Sequence, residues 1–283
     1  MSVPAHSFSH CFVDESIHDA SGFAVTSMVF ADASFQDKMA EALRKAGLCI
    51  PDEEYKSSFR MDRDVRMAVA RQSIMGLLGT SARVAVVIGP FQREHLGRQV
   101  LQAIQSVLIR NGIRREGLAI YFDRDVFPSQ KEASRLHQLF HALRGVAIHA
   151  HRDSKLIFGI QAADAVAHSL GQIVKAEASG KDKMVDVGGP STGYEAGTMA
   201  PLSWELLMTL RYALFTRPIV CGDDEYAIEC DPAVLDPMKD DQVTFGQHPV
   251  LLGWGVQVAP ETEPELRVHI ERALGKLWLG CIH

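Results

Sequence analysis

Three aspartates sit where folding alone would not ask for an acid. Asp14 follows the apolar stretch Phe12-Val13, Asp123 follows Ala119-Ile120-Tyr121-Phe122, and Asp164 lies in Ile160-Gln161-Ala162-Ala163-Asp164-Ala165-Val166-Ala167, the most apolar part of its segment. An unpaired carboxylate in such surroundings is costly unless a cation or partner compensates it. Oxygen-only donors converging on one point suit Mg²⁺ or Mn²⁺. Two such ions would activate water and stabilise the leaving oxygen of a phosphodiester. Gln161 and His168, three residues before and four after Asp164, would share its helix face and draw a polar stripe along a buried helix. Glu15 is adjacent to Asp14, but strand alternation points it to the opposite face.

The elements that must position these acids follow from periodicity and punctuation. Residues 8–14 read as a strand that ends at Asp14 in a polar turn, with 15–22 as a hairpin loop and 23–30 as a second strand. A helix to about residue 45 stops at Gly47. A second, from about 62 to 78, carries an apolar face of Met61, Val65, Ala68, Val69 and Ile74. A strand over 83–88, a helix over 92–111 and a strand over 117–122 ending at Asp123 come next. A helix over about 129–143, a strand over 146–151 and the helix over about 158–176 that carries Asp164 follow. An antiparallel opening with later helical crossovers predicts an α/β fold with a mixed sheet flanked by helices. Strand ends then converge on one edge, where sites commonly form.

The segments Phe12-Val13-Asp14-Glu15-Ser16, Tyr121-Phe122-Asp123-Arg124, and Asp153-Ser154-Lys155 followed by Gly159-Ile160-Gln161-Ala162-Ala163-Asp164 resemble a bacterial family, domain-of-unknown-function family 3800, whose members are regarded as ribonuclease H-like. The likeness covers roughly residues 10–176. It implies an RNase H-like mixed sheet flanked by helices, with a C-terminal α+β extension. It also implies an acidic site of Asp14, Asp123 and Asp164 as metal ligands, with Glu15, Asp153 and Gln161 nearby. Lys155 is placed to contact a phosphate or neutralise the acids, and His168 to lie beside them. The strand over 83–88 ends in Gly89-Pro90, where many RNase H-like nucleases carry an acid. The expected division is an RNase H-like domain over 8–178, a Gly-rich loop over 179–200 and an extension over 201–283 packed on the first domain. The expected activity is that of a Mg²⁺- or Mn²⁺-dependent nuclease or phosphodiesterase on DNA or RNA. The alternatives are a non-catalytic RNase H-like binding module and a small-molecule phosphate hydrolase.

Other patterns are weaker. His137 with His141, and His149 with His151, have ligand spacings that would suit zinc, but the helical pair lacks the Glu of an H-E-x-x-H motif. Arg60, Arg63, Arg66 and Arg71 alternate with acids and read as a solvated face, with phosphate binding as the lesser reading. The five cysteines (11, 49, 221, 230 and 281) form no C-x-x-C pair, which argues against a zinc ribbon or disulfide framework. The net charge of -6 disfavours a general nucleic-acid binder, yet residues 1–180 balance 21 Lys/Arg against 19 Asp/Glu while the remainder carries eight against sixteen. No apolar run approaches the ~20 residues of a membrane helix. A cytoplasmic protein, with homo-oligomerisation left open, is the expectation.

Overall fold

The computed structural model describes residues 8–59, 63–189, 192–215, 250–251 and 255–274, without the side chains of 250 and 251. Arg60, Met61, Asp62, Trp254, three of the cysteines (221, 230 and 281) and the chain end beyond residue 274 lie outside the described residues.

The chain opens with β1 (His10–His18) and β2 (Phe23–Ala31), paired antiparallel along all nine residues. The first expectation is corrected here: β1 does not end at Asp14, and the connection is only the short turn Asp19–Ser21 with Gly22. The reason is tertiary. Every residue of β2 is buried, and its unbroken backbone offers ladder partners to the polar residues 14–18, which by themselves read as loop. β2 also pairs antiparallel with β3 (Ala82–Pro90). β4 (Ala119–Phe122) pairs parallel with β1 on its other side, and β5 (Ala147–His149) parallel with β4. After a short hairpin of β6 (Met184–Asp186) and β7 (Met199–Pro201), the strands β8 (Val250–Leu251) and β9 (Val256–Val258) complete the main sheet. Its order is β5-β4-β1-β2-β3-β9-β8. The segment 179–200, expected to be a Gly-rich loop, thus carries most of the β6–β7 hairpin.

Helices cover both faces. One face packs β1, β2 and β3 against α1 (Phe35–Lys45), α2 (Val65–Ser81) and α5 (Phe158–Ser179), joined by α6 (Leu202–Leu210) and α7 (Pro264–Leu274). The other packs against α3 (Arg93–Arg110) and α4 (Gln130–His137). The α/β class with a mixed, helix-flanked sheet is as expected. The C-terminal segment contributes to that sheet directly, since β9 runs parallel to β3.

Two helices differ from the sequence reading. α2 buries Met67, Ala70, Ile74, Met75 and Leu78, while Val65 and Val69 are exposed, so its buried face is rotated from the one expected. Asp64 fixes its start by accepting from the Arg66 amide at 2.9 Å. α4 is capped by Ser129 but stops at His137. The His137 ring bonds the Leu143 carbonyl at 2.9 Å and holds the following chain as a 3-10 turn, His141–Leu143. His137 and His141 therefore do not share one helix.

α5 runs alongside β1 in the same direction. Gly159 faces the Phe12 ring and Gly171 faces the His18 ring; a Cβ at either would approach to 2.4 Å and 1.9 Å. Twelve helical residues rise about 18 Å, and six strand residues about 20 Å, so the two elements stay in step from end to end. The Phe12 ring is buried and cannot swing away. Gly159→Ala should cost about 1–3 kcal/mol of stability through overpacking, read as a lower urea midpoint with an unchanged m-value.

Candidate active site

Asp14 lies in the middle of β1, on the face turned toward α5. Its register partner on β2 is Ser27, whose hydroxyl donates to the Ala163 carbonyl of α5 at 2.7 Å. That bond fixes the height of the helix and brings the next residue, Asp164, over Asp14. Asp123 is the first residue beyond β4, with its amide bonded to the Val13 carbonyl at 3.0 Å. β4 ends there while β1 continues to His18. The three expected acids are thus delivered to one neighbourhood by a mid-strand position, a strand end and a helix.

Their electrostatics are unfavourable in isolation. Asp14 is 6% exposed. Burial pushes its carboxyl well above the usual carboxylate range, and the charges of Glu15, Asp164 and Asp123 add to that; the Glu15 amide, donating at 2.8 Å, opposes it. Asp164 is raised by burial, against the Ser57 amide at 2.8 Å, the charge of Lys56 and, when protonated, His168. Asp123 is raised by burial, eased by the Arg124 amide and Lys56. Glu15 projects to the opposite face, as strand alternation requires, among Asp123, Asp125 and Arg93. Burial and the two aspartates push it up to about 7, and its Oε2 is buried with no hydrogen-bond partner.

The sequence reading missed the segment 51–59, which crosses over the acids. Lys56 is its principal group. Burial works against the ammonium, but Glu54, Asp14 and Asp164 outweigh it and raise its pKa. Lys56 also pairs with Glu54 at 3.0 Å. Tyr55 is fully buried, an aromatic anchor in an otherwise charged stretch, and that contrast was the available signal.

The remaining expected residues turn out to hold this segment down. Gln161 accepts from the Tyr55 amide at 2.9 Å and donates to the Ser154 carbonyl at 2.7 Å, so it clamps two loops together rather than orienting Asp164. The Ser154 hydroxyl bonds the Glu54 carboxylate. Lys155 reaches the Asp52 carbonyl at 3.0 Å, away from the acids. Asp153 is occupied by Arg124 and by the Lys155 amide. His168 is in the site's neighbourhood: burial lowers its pKa against the pull of Asp164. Two of the four histidines with zinc-ligand spacing are engaged elsewhere: His149 stacks on Tyr121 at 4.8 Å and bonds Arg152, and His137 caps its own turn. Arg66 clamps Asp64, Glu53 and the Gly47 carbonyl.

By donor chemistry, Asp14, Asp123 and Asp164 fit a hard divalent cation. In position they stop short of a ligand cage: among the described residues no three His, Cys, Asp or Glu side chains are grouped as a metal would need. Positive charge reaches the acids from Lys56 instead. The sequence matches no family model and no curated protein. No helix among the described residues is long and apolar enough to cross a membrane.

Asp14 titrates above its unfolded value, so its contribution to stability is complete below that value and is lost as pH rises through the folded one. Asp14→Asn should therefore raise Tm at pH 7, by about 2–4 °C for each kcal/mol relieved. The gain should vanish below about pH 4, where the unfolded carboxyl is itself protonated. Thermal melts across that range check it.

Proposed function

We propose that this chain is a ribonuclease H-like, divalent-metal-dependent nuclease or phosphodiesterase, as its resemblance to domain-of-unknown-function family 3800 implies. One observation carries the reading: the buried Asp14 and the half-buried Asp123 and Asp164 come from three separate elements into one neighbourhood, where the charges of Asp164 and Asp123 help to raise the Asp14 carboxyl. Carboxylates pushed up by burial and mutual repulsion are characteristic of functional sites. The antiparallel β1–β2–β3 unit, followed by β4 and β5 parallel to β1, supports the fold assignment.

Asp14 and Asp164 would hold Mg²⁺ or Mn²⁺, with Asp123 completing the set from the end of β4. The cation, when bound, supplies charge for the attacked phosphate and lowers the pKa of water. Lys56, half-exposed beside Glu54, would be the group to meet a phosphate oxygen. The clamp of Gln161 on Tyr55 keeps the 51–59 segment over the acids. DNA or RNA is the substrate on this reading.

The non-catalytic module has one observation in its favour: Asp164 already accepts the Ser57 amide and faces Lys56, so part of its charge is satisfied without a metal. Wild type and Asp164→Asn, incubated with labelled single- and double-stranded DNA and RNA plus Mn²⁺, separate the two. Loss of a charge-stabilising group should lower cleavage at least about 100-fold. Equal cleavage by both proteins removes Asp164 from the chemistry, and no cleavage by either favours the module.

A further inference from the structure

The polar stripe of α5 continues past Asp164. Positions 164, 168, 171 and 175 fall within about 60° of one another around the helix. They carry Asp164, His168, Gly171 and Lys175. On β1, the alternation that turns Asp14 toward α5 turns Ser16 and His18 the same way. His18 occupies the notch that Gly171 leaves, with its ring stacked on Phe23 at 4.7 Å and its Nε2 3.3 Å from the Ser16 hydroxyl. Arg71 lies on α2, which packs against α5, and acts electrostatically on both His168 and Tyr55. Lys175 acts on His18 and His168.

This strip has the opposite character to the acids beside it. Among the described residues, neither Arg71 nor Lys175 makes an ion pair, although most other arginines near the site are spent on carboxylates. Burial lowers both histidines, His18 to about 4, and each imidazole carries a ring N–H donor in either protonation state. Two unpaired cations, ring N–H donors and a hydroxyl match a phosphate diester, which is anionic and rich in acceptors. From Asp164 to Lys175 the helix rises about 16 Å. That length exceeds one nucleotide step, about 3.4 Å along a B-form strand.

We propose that Arg71, His168 and Lys175, with His18 in the Gly171 notch, form a track for the phosphates that flank the reacting one, so that the ligand is a nucleic-acid strand and not a mononucleotide. The proposal rests on the nuclease reading for its substrate class. It adds a direction: the strand leaves the acids along α5 toward that helix's C-terminal end.

Binding tests it without turnover. A fluorescein-labelled 12-mer of single-stranded DNA or RNA is titrated, in EDTA and over a range of NaCl, against full-length Asp164→Asn and against the same protein also carrying Arg71→Ala and Lys175→Ala. Removing the two cations should weaken binding at low salt at least tenfold, on the order of two neutralised phosphates. The slope of log K on log salt should fall by about 0.7 for each phosphate no longer neutralised. Arg71→Lys with Lys175→Arg should restore both, and the exposed Lys175→Glu by itself should weaken binding in a protein whose melting is unchanged. Equal affinity and slope in the presence and absence of the two cations overturns the track. So does displacement of the 12-mer by a mononucleotide at concentrations comparable to the unlabelled 12-mer. Failure of the nuclease reading shows separately, as an absence of cleavage by wild type in Mn²⁺ while the binding differences persist.

Discussion

Helix α5 lies so near β1 that two of its positions have no room for a side chain. Gly159 receives Phe12 and Gly171 receives His18, and between them the Ser27 hydroxyl bonds the Ala163 carbonyl. Together these anchors set the height, direction and phase of the helix on the sheet. Asp164 then has no position available except over Asp14. The candidate site follows from this packing: the helix is held by apolar burial and glycine clearance, and the acids are carried into proximity against their own repulsion.

Compensation for that repulsion comes from a segment with no regular structure. Residues 51–59 bring Lys56 to the acids and the Ser57 amide to Asp164, and they are pinned from below by Gln161 and Ser154. The D-S-K and G-I-Q portions of the sequence are thereby explained as a scaffold for this segment. Only the final aspartate of that stretch belongs to the acids themselves. Loop, helix and strand are coupled through side chains that are mostly buried, so the acids are fixed in place while Lys56 keeps an exposed end.

The site is polarised along α5. Acids gather at the end near β4, and unpaired cations with imidazoles line the way toward Lys175. The sheet supplies the same direction, because β1 outruns β4 and exposes Ser16 and His18 beside the helix. On the proposed reading, an acidic centre flanked by a cationic strip would reconcile a chain of net charge -6 with a polyanionic ligand.

Composition and periodicity determined that this chain is α/β, that its sheet opens antiparallel and continues through helical crossovers, and that Asp14, Asp123 and Asp164 are the acids to watch. Those readings depend on local pattern: apolar runs of strand length, a buried helix interrupted by one carboxylate, and glycines at helix stops. Only the tertiary structure decided that β1 runs on to His18, because the partner that holds it there is a different strand. The same holds for α2, whose exposed valines are locally as good a face as its buried methionines. It also decided that Lys155 and Asp153 serve the loop while Lys56 serves the acids. Lysines look alike in sequence, and packing sets what each one meets: Lys155 reaches the Asp52 carbonyl 103 positions away, while Lys56 comes under the charges of Asp14 and Asp164.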